Sequence, residues 1–240
     1  MYLLLRWSAA RTVLDRTDQE ALSWVFERQR LALLVALIAA MLGIALLWPK
    51  RLLVWPVIAV AVTLGATYTR SLPFVPWGGL RAVPGLKLPV IVGCWMLVTV
   101  VMPFLIAKEV DLITGLIDAG LVQLPLYLAN ALLFDIRDLA TDDPSLRTIP
   151  QVIGARWTRV LIVLLLVYIG MILLVRGFMD IEADVDGATP WADVFAGCGS
   201  LLAACFTLIP APKRSDVLHE TLADGILLLI PALYLIGSLL

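Results

Sequence analysis

Residues 157–175 read WTRVLIVLLLVYIGMILLV, a stretch in which Arg159 is the only charge. An apolar run of this length suits a helix crossing the hydrocarbon core of a bilayer, which takes about 17–25 residues with some tilt. In that solvent the backbone must satisfy its own hydrogen bonds, so a helix is the expected form. Six further runs of the same kind lie at 31–48, 52–69, 88–107, 112–134, 191–210 and 222–240. The expected fold is therefore all-α, a polytopic membrane bundle of about seven transmembrane helices. Pro56, Pro103, Pro125 and Pro231 fall inside these runs, where membrane helices tolerate proline and bend.

The composition agrees. Hydrophobic residues make up 61% of the chain and charged residues only 15%, whereas soluble domains carry roughly a quarter charged. A net charge of −1 provides no basic field for nucleic acid. Cys94, Cys198 and Cys205 sit within apolar runs and give no disulfide framework. His219, beside Lys213, Arg214 and Glu220, has no companion metal ligands. The first long apolar run begins at Leu31 with no small-residue cleavage pattern after it, so no cleaved signal peptide is expected. We read residues 1–240 as a single membrane domain, with 1–30 a cytoplasmic segment and 31–240 the bundle. Thr17 and Glu20 have capping-box spacing for a helix starting near Asp18, and Thr189-Pro190 offers a start for the sixth span.

Charge sets the orientation. Arg6, Arg11, Arg16, Arg28 and Arg30 precede the first span, and Arg70, Arg81 and Lys87 follow the second. Arg137, Arg147, Arg156 and Arg159 flank the loop after the fourth, and Lys213 and Arg214 follow the sixth. Of 18 basic residues, only Lys50, Arg51, Lys108 and Arg176 remain for the other face. This asymmetry predicts a cytoplasmic N-terminus and an external C-terminus for an integral protein of the cytoplasmic or inner membrane. An external loop after Arg176 would carry Asp180, Glu182, Asp184 and Asp186.

The chemistry concentrates in NALLFDIRDLATDDPSLRTIPQVIG, Asn130 to Gly154. Spacings of three and four residues put Asp135, Asp138 and Asp142 on one face of a helix leaving the membrane. Three like charges so close need a cationic bridge, and Mg²⁺, which prefers a few carboxylates together with phosphate oxygens, is one candidate. Simple surface pairing with Arg137, Arg147 and Arg156 is the other.

The run Asp135-Ile-Arg-Asp138-Leu-Ala-Thr-Asp142, with Thr148-Ile-Pro150 and Gly154 behind it, resembles the second aspartate-rich motif of the UbiA family of membrane prenyltransferases. Tyr68-Thr-Arg70, Arg81 and Gly85-Leu-Lys87 resemble that family's basic cytoplasmic segment, and the similarity runs over roughly residues 20–175. The resemblance implies a helical protein that uses Mg²⁺ to bind an isoprenyl diphosphate and transfers the prenyl group to a lipophilic or aromatic acceptor. Asp135, Asp138 and Asp142 would be catalytic metal ligands, and Arg70, Arg81, Lys87, Arg147 and Tyr68 would bind substrate. Tyr68, Trp77, Trp95 and Tyr127 are candidates to face a prenyl carbocation, or to anchor at the interface as belt aromatics.

Two departures stand out. The family's first motif, Asn-Asp-x-x-Asp-x-x-x-Asp, is missing, and its usual nine spans are reduced to seven, as in an N-terminally shortened or divergent member. The loop Asp143-Pro-Ser-Leu-Arg147 is also shorter and lacks the family's glycine. A catalytically inactive isoprenoid-binding relative is therefore the first alternative. A small transporter using Asp118 or Asp224 is the second. Asp186-Gly187 opens like the CDP-alcohol phosphotransferase motif and does not continue it.

Overall fold

The structure, a computed structural model, describes residues 54–69, 79–106, 112–140, 142–183, 189–208 and 216–239, with Leu31, Leu34, Val35, Leu37, Ile38, Met41, Leu42 and Gly43 before them. All regular elements among these residues are helical. We label them α1 (Val54–Thr69), α2 (Lys87–Ile106), α3 (Leu112–Arg137), α4 (Ile149–Ile153), α5 (Ala155–Ala183), α6 (Pro190–Leu208) and α7 (Asp216–Gly237).

Four described helices are long and apolar enough to cross a bilayer: Lys87–Ile106, Gly115–Ala140, Ala155–Ala183 and Pro190–Leu208. Val54–Tyr68 and Leu228–Gly237 are shorter apolar helices. The expected run at 31–48 falls largely outside the described residues, as do the Thr17–Glu20 start and most of the basic N-terminal segment. Thr189 does open α6, its carbonyl accepting from Ala192 N at 3.0 Å with Pro190 as first helical residue. One boundary is corrected. Helix α5 continues to Ala183, so Asp180 and Glu182 lie on its last turns and not in a loop; nothing breaks the helix after Arg176, whose Nε pairs with Asp193 Oδ2 of α6 at 2.8 Å.

Helices α3, α5 and α6 build the core, with Ile230 of α7 completing it. Leu126, Ala129, Leu132 and Leu133 of α3 meet Ile162, Leu166, Ile169 and Leu173 of α5, with Ala196, Ala203 and Ala204 of α6 behind them. Lipid tails are as apolar as these side chains, so close packing and buried hydrogen bonds must hold the helices together. Small residues permit that approach. At Gly197 a Cβ would stand 3.0 Å from the Gly170 carbonyl oxygen and 2.9 Å from Leu174 Cγ. Three residues along α6, Ser200 Oγ donates to the Leu166 carbonyl of α5 at 2.8 Å. The opposite face of α5 presents Leu164, Met171, Phe178 and Met179, each more than half exposed. Such a surface is stable against lipid and costly against water.

The α5–α6 seam yields a stability prediction. Gly197→Val should destabilise the protein by about 1–3 kcal/mol through overpacking, whereas Gly120→Ala, whose Cβ would meet nothing within 4 Å, should be close to neutral. Thermal unfolding in detergent distinguishes the two.

Candidate functional site

The aspartate-rich stretch leaves the long apolar helix α3 in three steps. The α-helix of α3 ends at Arg137, a 3-10 turn covers Asp138–Ala140, and a second one covers Pro144–Leu146. Asp142 therefore does not share a continuous helical face with Asp135 and Asp138, which corrects the expectation from spacing. The chain tightens after Arg137, Asp142 N bonds to the Asp138 carbonyl at 2.8 Å, and that turn swings Asp142 toward the other two.

The following loop is tied down by its own polar groups. Asp143 caps the second 3-10 turn by accepting from Ser145 N at 2.8 Å, and that backbone hydrogen bond holds its carboxyl below the usual range. Gln151 reaches back from α4, donating Nε2 to the Asp143 carbonyl at 3.1 Å while its Oε1 accepts from Thr148 N at 2.9 Å. Asp142 is thus set in a loop fixed from both sides.

The basic loop meets it from across the bundle. Pro84 and Gly85 occupy the corners of a turn closed by Leu86 N donating to Val83 O at 3.1 Å. Gly85 has φ 72°, as the third position of a type II turn requires. Its N–H donates to the Leu146 carbonyl at 3.0 Å. One backbone hydrogen bond therefore joins the loop before α2 to the loop after α3, and it places Lys87, the first residue of α2, above the end of α3.

Lys87 Nζ is the centre of the site. It lies 2.8 Å from Asp135 Oδ1, 2.6 Å from Asp142 Oδ2 and 3.9 Å from Asp138 Oδ2. Lys87 is 7% exposed and Asp135 3%, so these charges exist there only because they face one another. Arg81 Nη2 adds a bond to Asp142 Oδ1 at 3.1 Å. Arg137 Nε binds Asp138 Oδ1 at 2.7 Å while its guanidinium covers the Phe134 ring, 4.9 Å from the centroid. Tyr68, at the end of α1, lies within electrostatic range of Arg81, Lys87, Asp135 and Asp142.

The expected residues thus divide. Asp135, Asp138, Asp142, Arg81, Lys87 and Tyr68 come together. Arg147 is exposed, carries left-handed backbone (φ 46°, ψ 48°) at the end of the short loop, and takes no part in the described ion pairs. Arg70 and Trp77 lie outside the described residues, as do the side chains of Asp118, His219 and Asp224. Trp95 packs on Tyr127, centroids 5.7 Å apart.

A second polar layer lies further back along α3, where Tyr127, a candidate from the sequence, is joined by Thr99, Gln123 and Asn130, which were not singled out from it. The Tyr127 hydroxyl meets Thr99 Oγ1 at 2.7 Å, and Thr99 sits in the π-helical turn Leu97–Val101 that interrupts α2. Gln123 Oε1 and Asn130 Oδ1, buried, have no hydrogen-bond partner. Residues 123, 127 and 130 follow i, i+4, i+7 spacing, so they share one face of α3. Amides at that spacing within an apolar run were the clue available in the sequence.

The resemblance implies Mg²⁺ on the aspartates. Oxygens of Asp135 and Asp142 do converge on one point, which is what a hard cation needs. That point is taken by the Lys87 ammonium, and among the described residues no three His, Cys, Asp or Glu side chains stand arranged as a ligand set. The donor chemistry fits a divalent cation on condition that Lys87 withdraws.

The junction of the two loops is testable at Gly85. A Cβ there meets no atom within 4 Å, so Gly85→Ala should act through backbone strain alone and cost about 1–2 kcal/mol. Gly85→Asn, which tolerates left-handed backbone better, should recover part of that stability in thermal unfolding.

No family model, curated protein or solved structure matches the chain.

Proposed function

We propose that the protein is a UbiA-like membrane prenyltransferase that takes an isoprenyl diphosphate at its cytoplasmic face and transfers the prenyl group to a lipophilic or aromatic acceptor. The observation that carries this reading is the meeting of the Asp135–Asp142 segment with Arg81 and Lys87, which puts both signs of charge at one end of an apolar bundle. An allylic diphosphate ionises when negative charge on the leaving group is stabilised and the carbocation is kept from water. Lys87 and Arg81 supply cationic donors for the phosphates. Mg²⁺, held by Asp135, Asp138 and Asp142, would supply the remaining neutralisation of the leaving group. The prenyl chain would lie among the apolar helices. Aromatic rings such as Tyr68, Tyr127 and Trp95 could offer electron-rich faces to the cation.

The inner polar layer suits the acceptor. Asn130 stands five residues before Asp135, roughly 7 Å deeper at the helical rise. Its unpartnered carbonyl oxygen, with that of Gln123, is available to a hydroxyl or amine of an acceptor head group. A second reading, an isoprenoid-binding relative without turnover, is favoured by Lys87 holding the aspartates' oxygens. The two readings separate in one experiment on reconstituted protein. The transferase binds isoprenyl diphosphate and releases pyrophosphate when an acceptor is supplied; the binding protein does only the first. Asp138→Asn should weaken diphosphate binding by about tenfold or more, the loss of one charge-assisted contact. Binding indifferent to Asp135→Asn, Asp138→Asn and Asp142→Asn together would sink the assignment.

The topology proposed with this function has the N-terminus inside, the C-terminus outside, about seven spans, and the loops around 70–87 and 135–156 on the cytoplasmic face. With Cys94, Cys198 and Cys205 replaced, single cysteines at Ser145 and Ala183 should label from opposite sides of the membrane. Equal labelling from one side would end this topology.

A further inference from the structure

We propose that Lys87 is the resident cation of the aspartate cluster, and that it and a divalent metal exclude each other at the same carboxylate oxygens. This deepens the functional reading above, on which it rests for the identity of the incoming metal and diphosphate. The ammonium lies 2.8 Å from Asp135 Oδ1 and 2.6 Å from Asp142 Oδ2. A metal bound to both oxygens would stand on the ammonium itself. One cation at a time can occupy the point on which those oxygens converge.

The surroundings make the exclusion strong. Asp135 and Lys87 are almost fully buried, so neither can turn to water when its partner leaves. The third carboxylate is not spare either, because Asp138 Oδ1 is bound by Arg137 at 2.7 Å, and Asp142 Oδ1 is bound by Arg81 at 3.1 Å. Each of the three carboxylates is held by at least one described cation, Lys87, Arg81 or Arg137, and a divalent ion entering there would compete with it.

Lys87 is the one that stands where the carboxylate oxygens converge. Its four-carbon stem and point charge allow the ammonium to swing without disturbing the backbone, whereas the Gly85–Leu146 hydrogen bond keeps the base of α2 in place. The natural acceptor for a displaced ammonium beside three carboxylates is an anion arriving with the metal, which the diphosphate of the functional reading provides. The site is thereby closed to metal alone and open to metal that brings its own anion.

The test uses Mn²⁺ alone, read by electron paramagnetic resonance on the purified full chain in detergent, with no isoprenoid present. Wild type and Lys87→Arg, which retain a cation, should bind Mn²⁺ weakly. Lys87→Met, which keeps the stem and removes the charge, should bind it about tenfold or more tightly. Adding Asp135→Asn and Asp142→Asn to Lys87→Met should abolish the gain. If Lys87→Met leaves the carboxylates too repulsive to fold, its yield and melting temperature should recover when it is prepared with Mn²⁺, while wild type is unmoved. Equal Mn²⁺ affinity in wild type and Lys87→Met overturns the proposal. So does the absence of Mn²⁺ binding or rescue in Lys87→Met. The diphosphate experiment is independent: a protein with the exclusion but no isoprenoid site passes here and fails there.

Discussion

An ammonium shared by carboxylates at the mouth of an apolar bundle is the constraint on which the rest of the site depends. Neither Lys87 nor Asp135 can be accommodated alone so close to lipid, since the cost of stripping an ion of water exceeds what any single hydrogen bond returns. Their pairing obliges the start of α2 to sit against the end of α3. Much of the local architecture serves that obligation. The Pro84-Gly85 turn aims the chain, the Gly85–Leu146 hydrogen bond fixes the distance between the loops, and Gln151 braces the loop that carries Asp142.

The apolar part of the fold follows a different logic. Burial cannot drive one greasy helix onto another inside a bilayer, and α5 and α6 are joined by shape and by a buried hydroxyl. Gly170 and Gly197 bring the backbones close, and Ser200 then reaches the Leu166 carbonyl. This closely packed pair, with α3, forms one wall of the bundle. The π-helical turn in α2 lies on the other side of α3, where Thr99 is brought to Tyr127. An extra residue in a helical turn re-aims the side chains that follow, and such turns collect at functional positions. Here it creates polar contact within an otherwise apolar layer.

What the sequence made legible follows from the kind of force involved. Run length and polarity report the solvent, so the long apolar helices among the described residues were readable from stretches such as 157–175. The continuation of α5 through Asp180 and Glu182 was not, because polar residues end a hydrophobic run without ending a helix. Asp135, Asp138 and Asp142 were readable as a group from spacing, but the reason they meet was not. Spacing assumed one continuous helix, whereas a 3-10 turn and a loop anchored by Gln151 bring Asp142 round. The link to Arg81 and Lys87, some fifty residues earlier, came from the family resemblance. Without it the basic loop would have read only as a topological marker.

The unpartnered oxygens show where the two logics meet. Among the described residues, Gln123 Oε1 and Asn130 Oδ1 of α3 are, with Thr148 Oγ1 of the loop, the buried side-chain oxygens without a hydrogen-bond partner. Each forgoes a hydrogen bond worth about 1 kcal/mol or more when buried. Structural polar groups in membrane helices are normally satisfied by their own or a neighbouring helix, as Ser200 is by the Leu166 carbonyl and Thr99 by the Trp95 carbonyl and the Tyr127 hydroxyl. The two amides are not, and they lie on the same α3 face as Tyr127 and one to three turns below Asp135. Under the proposed function, the charged cluster would take the diphosphate and the deeper layer a hydroxyl or amine of the acceptor.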